Sequence, residues 1–210
     1  MGPENQDVPS RNLTATVAQP RRAGGRPRSP EADQAILDAA QAELIESGYT
    51  RMRLEQVAAR AGVGKATLYR RWPSKEALAE QLLANLARPF LTVDDVGDTQ
   101  AELEACVMHA LEAIRDTPFG PVIRALLSQI AGNPTLGDPF RATVVQGRRD
   151  QIARVMERGI ARGDLRPDAD ADIATELLVG PVYFRLMFGG RLDDEFARQV
   201  ARAVYTAFRR

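Results

Sequence analysis

Histidine and cysteine are almost missing from this chain. Cys106 is the only thiol and His109 the only imidazole in 210 residues. One thiol cannot build an internal disulfide framework or a Cys-rich zinc site, and one imidazole gives a His-based metal centre little to stand on. No metal or cofactor is expected. Cys106 falls in an amphipathic stretch and reads as a buried structural thiol rather than a reactive one. An excess of either charge is missing too, since 28 Lys and Arg balance 28 Asp and Glu. By itself that argues against a general polyanion binder. The N-terminus has no apolar leader with a cleavage pattern. The longest apolar stretch, about residues 173–188, carries Glu176 and Arg185 and is too short and too charged to span a bilayer. A cytoplasmic protein with no membrane partner is the expectation. There is no phosphate loop, no nucleophile–base motif and no obvious triad partner for His109, so an enzyme on this scaffold lacks support. No strand pattern and no internal repeat stand out.

What is present is helical periodicity and uneven charge. The chain is 44% hydrophobic, enough for a packed core, and its length suits one or two domains. Between Arg21 and Lys75 eleven cations face six acids, so one end is basic and the rest compensates. Residues 1–29 are polar, contain Pro and Gly, and lack periodicity, which predicts a disordered basic arm. Its Gly25-Arg26-Pro27-Arg28 is similar to the core of an AT-hook, placing Arg26 and Arg28 in a minor groove; a solubilising tail is the competing reading.

From residue 30 the spacing predicts helix after helix, an all-α chain. Ile36, Ala40 and Leu44 make a stripe that Gly48 ends. Leu78, Leu82 and Leu86 follow Ser74 before Pro89. Thr99 and Glu102 have capping-box spacing, with Leu103, Val107, Leu111 and Ile114 behind them. Pro118, Gly120 and Pro121 mark another start, with Val122, Leu126 and Ile130 inward. Asn133-Pro134 and Gly137-Asp138-Pro139 punctuate before a long helix over about 140–162, stopped by Gly163. Two more run from about 171 to 188 and from Asp193 onward.

The most informative stretch is 53–75, RLEQVAARAGVGKATLYRRWPSK. Leu54, Val57, Ala58 and Ala61 give a first helix one apolar face. Gly62 can take the left-handed conformation that stops it. Val63 turns the corner, and a second helix from Lys65 to about Trp72 turns Leu68 and Trp72 inward. Lys65, Thr67, Tyr69, Arg70 and Arg71 are left outside. Such a pair is what a helix-turn-helix needs to enter a major groove. Arg53, Thr67 and Lys75 are expected at phosphates, and Arg70 or Arg71 on guanine. Tyr69 is expected against a sugar or thymine methyl, with Gly64 and Ala66 allowing close approach.

Gly48-Tyr49, Val57-Ala58, Ala61-Gly62-Val63, Thr67-Leu68-Tyr69 and Ser74-Lys75-Glu76 together resemble the DNA-binding domain of TetR-type transcriptional regulators. Two positions depart from that pattern: Arg53 stands where a Ser or Thr usually caps the second helix, and Gly64 where a Ser commonly opens the recognition helix. The resemblance implies a helix-turn-helix domain over 30–76, with the motif itself at about 53–72, and a helical ligand-binding and dimerisation domain over 77–210. It also implies a homodimeric repressor on double-stranded DNA at a palindromic operator, released by a small-molecule effector. The alternatives are a DNA-binding regulator without a ligand and a protein-interaction adaptor whose basic helix docks an acidic partner.

The helix over about 171–188 is apolar nearly all round and needs cover on every side. A second copy packing Leu178, Val182 and Leu186, with Phe196, Val200 and Val204 of the last helix, would supply it as a four-helix bundle; the centre of a monomer core is the other reading. Gly180-Pro181 should kink this helix, as a cavity-widening hinge or as a tolerated bend. His109, Phe119, Met156 and Tyr183 are residues of mixed character that suit a ligand pocket, with ordinary core packing as the alternative.

Overall fold

A computed structural model describes residues 30–210. The basic arm, with Arg26 and Arg28, lies outside the described residues. Ten α-helices and no strand appear among those described, save one isolated bridge between Leu165 and Arg209.

The first four helices form the N-terminal unit. Helix α1 (Pro30–Ser47) carries Glu31 and Asp33 in its first turn, where acids favour the positive end of the helix dipole. Its Ile36, Ala40 and Leu44 are fully buried. Helices α2 (Leu54–Arg60) and α3 (Lys65–Arg71) follow, and α4 (Lys75–Ala87) is capped by Ser74, whose Oγ accepts from the Ala77 amide. Helix α4 packs on α1 and also on the body, against α6 and α7. With α1, which also packs on α6, it links the two halves.

The body holds α5 (Thr99–Asp116), α6 (Phe119–Gly132), α7 (Pro134–Phe140), α8 (Gln146–Arg162), α9 (Ala171–Phe188) and α10 (Asp194–Phe208). Helix α5 runs through its centre, touching α6, α8, α9 and α10. Asp170 and Asp193 cap α9 and α10 through their carboxylates, and Gly163 ends α8 with a φ of 82°.

Two sequence expectations are corrected. The cap of α5 is Asp98, which accepts from the Ala101 amide, and not Thr99. Thr99 is buried and donates to Asp164, while Glu102, also fully buried, accepts from Arg158 and pairs with Arg162. Both residues of the apparent capping box are thus spent on fastening α5 to α8. The second correction concerns 133–145. Gly137-Asp138-Pro139 does not break the chain. It sits inside α7, and a π-helical segment, Arg141–Val145, joins α7 to α8 without interruption. Pro139 has no amide hydrogen for the carbonyl one turn back, and the wider turn that follows absorbs the mismatch.

Candidate nucleic-acid interface and body cavity

The N-terminal unit presents a helix-turn-helix. Helix α2 ends at Ala61, and Gly62 follows with a φ of 66°, which an L side chain rarely adopts. Leu68 and Trp72 anchor α3 inward and Val63 is half-buried at the corner. Tyr69, 40% exposed, donates its hydroxyl to Glu55 at 2.8 Å and so ties the outer face of α3 to α2. That bond, with the charges of Lys65 and Arg53, lowers the Glu55 carboxyl below its ordinary range.

Gly64, Lys65, Ala66 and Arg70 are exposed on α3 and at its start, and Thr67 is half-buried beside them. Arg53 is exposed and extended at the head of α2 and makes no capping bond. Arg53, Lys65 and Arg70 form no side-chain hydrogen bond or ion pair among the described residues. Lys75 is more committed: its Nζ donates to the Tyr49 carbonyl at 3.0 Å and lies 4.4 Å from the centre of the Tyr49 ring. The Tyr49 hydroxyl donates to Glu76 at 2.7 Å, which fixes the start of α4 to the end of α1.

Arg71 is a correction. Its side chain is only 10% exposed, with Nε 2.8 Å from Asp33 Oδ1. This contact is an ion pair rather than a well-directed hydrogen bond, since Asp33 Oδ1 and Arg71 Nη1 are sealed without a hydrogen-bond partner. The three-residue step from Leu68 turns Arg71 back toward α1, so it braces α3 instead of reaching a base.

The body encloses a cavity of about 340 Å³. Its wall is almost wholly apolar, with Ile114, Phe119, Phe140, Val144, Val182 and Met187 among the side chains that line it. Ala87, the last residue of α4, also lines it. Of the four residues singled out from sequence, Phe119 and Tyr183 face this space; His109 and Met156 do not. Met156 is sealed in the core, and His109 Nδ1 is buried without a partner.

Sequence reading missed Arg148, which also lines the cavity. The signal was there: Val144, Arg148, Ile152 and Met156 are four apart, and the other three are buried, so a cation stands on the inward stripe of α8. Its Nη1 donates to the carbonyls of Phe90 and Cys106 and to Gln151 Oε1, at 3.0, 3.3 and 2.5 Å. Burial lowers the Arg148 pKa from its ordinary value. Burial also raises that of the Tyr183 phenol, against the opposing pull of the Arg148 charge.

The expected dimer contacts need correction as well. Leu178, Val182, Phe196 and Val204 are buried within their own subunit, and Leu186 and Val200 are half-buried. The stripe of α9 chosen from periodicity is the one the monomer core uses. The opposite side leaves Ile173, Leu177, Phe184, Met187 and Phe188 exposed, with the Phe184 and Phe188 rings 5.1 Å apart.

Two short helices across a glycine turn, with a cationic outer face and an anchored inner one, define a helix-turn-helix DNA-binding protein. Comparison with known proteins makes this specific. Residues 36–82 match the family of bacterial regulatory proteins of the tetR type, and residues 93–204 match the tetracyclin repressor-like C-terminal domain. An uncharacterized HTH-type transcriptional regulator of Bacillus subtilis (strain 168), YdeS, is 32% identical over 179 residues, covering 84% of this chain and 89% of that protein. A DNA-binding transcriptional repressor of Mycobacteroides abscessus is 30% identical over 166 residues, covering 77% and 85%. Among solved structures, the TetR family transcription regulator SCO0332 superposes with a TM-score of 0.68 at 29% identity, covering 84% of this chain and 97% of that one. The chain belongs to the TetR family of transcriptional regulators. It is a sequence-specific DNA-binding transcriptional regulator. Among the described residues no helix is long and apolar enough to cross a membrane.

Proposed function

We propose that this regulator is a homodimeric repressor that holds a palindromic operator and lets go when a small molecule fills the body cavity. One observation carries the effector half: the last residue of α4, Ala87, forms part of the cavity wall. Helix α4 also packs on α1, so a guest pressing on that wall acts on the frame that carries α3. A ligand works in this way only if it prefers the conformer that cannot hold DNA.

The dimer half rests on the exposed apolar side of α9. Two aromatic rings and three aliphatic or thioether side chains on one helix need cover, and a second copy supplies it about a two-fold axis. A two-fold molecule reads a site of matching symmetry. Repression is supported by the likeness to the Mycobacteroides abscessus repressor. In this reading Lys65, Ala66, Thr67, Tyr69 and Arg70 face the base edges or the flanking sugar. Arg53, and Lys75 with the donors left beyond its bond to Tyr49, neutralise phosphates, and Gly64 admits the backbone closely.

The test is a selection of bound duplexes from a random pool, followed by a compound screen scored on both melting temperature and operator release. An enriched inverted repeat and a compound moving both readouts are the expected result. An enriched site with no inverted symmetry removes the dimer half. A diverse library that never moves either readout removes the effector half.

A further inference from the structure

Arg148 is a charge without a counter-charge. No carboxylate lies within ion-pairing distance of it among the described residues, whereas Glu102 in the same body has two arginines. All the hydrogen bonds Arg148 makes leave from Nη1 and end on neutral oxygens. Nε and Nη2 make none, and neither is among the sealed polar atoms, so both retain contact with open space. The Tyr183 hydroxyl, on the same cavity wall, likewise has no hydrogen-bond partner among the described residues. The wall of an apolar cavity thus includes one half-buried cation with two unused donor nitrogens and a half-buried tyrosine with an unused hydroxyl.

Buried charge is costly unless paired, and a guanidinium fork matches a carboxylate in two parallel bonds. We infer that the cavity takes an apolar organic acid, its carboxylate held by Arg148 Nε and Nη2 with the Tyr183 hydroxyl as a further donor, and its body against the aliphatic and aromatic wall. The inference rests on reading the cavity as an effector site. The Arg148 Nη1 bond to Phe90 ties this acid site to the short turn, Arg88–Phe90, that directly follows α4.

The test uses full-length protein and two matched probe pairs: octanoate with octanamide, and naphthoate with naphthamide. Calorimetry near neutral pH gives the affinities, and each probe is also added to the protein on its selected duplex. At least one acid should bind about tenfold or more tightly than its amide, the scale of a charge-assisted bond. Arg148→Met should abolish that preference, and Arg148→Lys, which keeps the charge, should restore part of it. Equal affinity for acid and amide in the unaltered protein overturns the proposal without any variant having to fold. So does an acid preference that survives Arg148→Met in protein with an unchanged melting transition. If amides bind and release DNA as well as the acids do, the effector reading stands and the acid assignment falls. If no probe binds, the acid assignment falls, and the effector reading is decided by the wider compound screen.

Discussion

Phe188→Glu should split the dimer. The ring is 72% exposed in the single chain, the most open large apolar side chain described. A phenylalanine carries about 200 Å² of surface, so roughly 140 Å² per protomer awaits cover. Symmetry doubles every change. At about 25 cal/mol per Å², complete burial of both rings would contribute up to about 7 kcal/mol to association. Much of that is offset by lost rigid-body and side-chain freedom. If only a third survives, the dimer still weakens about fifty-fold. Glutamate adds the cost of burying two like charges near the axis, so the true loss should be larger. Sedimentation equilibrium across a wide concentration range measures it, with far-ultraviolet circular dichroism as the folding control. Operator affinity should fall in parallel, because one head alone makes half the contacts. An unchanged dimer constant for both Phe188→Glu and Phe184→Glu refutes the assignment of this side of α9.

On the DNA face, Arg70→Ala should cost about 1–3 kcal/mol of specific binding with no change in melting temperature. Arg71→Ala should instead lower the melting temperature by removing the brace to Asp33; anisotropy and thermal melts separate the two, and the reverse pattern would exchange their roles. Glu102→Gln strands two arginines that are 25% and 24% exposed. Their partial hydration places the expected loss near the lower end for a broken buried pair, about 3 kcal/mol in urea unfolding, and a loss below about 1 kcal/mol would contradict this. Gly120→Ala would put a Cβ 1.9 Å from the backbone oxygen of Ile114. An obstruction that close forces α6 to move and should cost at least about 2 kcal/mol, read from the urea midpoint; a neutral result would contradict the close packing of Gly120 on the Ile114 carbonyl. Burial pushes the Cys106 thiol from its ordinary 9.0 up to about 12. Below pH 9 the thiol is protonated whether folded or not; between the two values only the unfolded chain ionises, so stability should decline there and Cys106→Ala should flatten the decline.

The reading of 53–75 succeeded because every local signal agreed. Gly62 needs its positive φ, Leu68 and Trp72 share the inward stripe, and the cations are left over. Periodicity says which residues share a face, but not what that face meets. That is why α9 misled: with apolar residues nearly all round, the stripe through Leu178 and Val182 and the one through Leu177 and Phe184 were equal on paper, and only packing against α5, α8 and α10 broke the tie. Thr99 and Glu102 misled for the same reason. Their spacing suits a cap, yet Asp98, one residue earlier, takes that role once Arg158 and Arg162 of α8 claim the glutamate. Arg71 could not be separated from Arg70 without knowing where α1 lies.

A buried carboxylate, Glu102, and a half-buried guanidinium, Arg148, divide the labour of the body. Glu102 is neutralised inside the protein: its carboxylate meets Arg158 at 2.7 Å and Arg162 at 3.1 Å and accepts the Val96 amide at 3.2 Å. That cluster fastens α5 to α8 and asks nothing of a ligand. Arg148, nearer the start of the same α8, has neutral acceptors alone, so part of its desolvation cost stays uncompensated. In the proposed switch an incoming anion would recover that cost only in a conformer where Nε and Nη2 reach it, which would give the ligand the differential affinity a switch requires. The Phe90 carbonyl, which accepts from both Arg148 Nη1 and Gln151 Nε2, ties that site to the short turn after α4. In the proposed switch, polarity left unpaired on the wall of an otherwise apolar cavity is therefore where binding energy would be converted into movement of the DNA-reading heads.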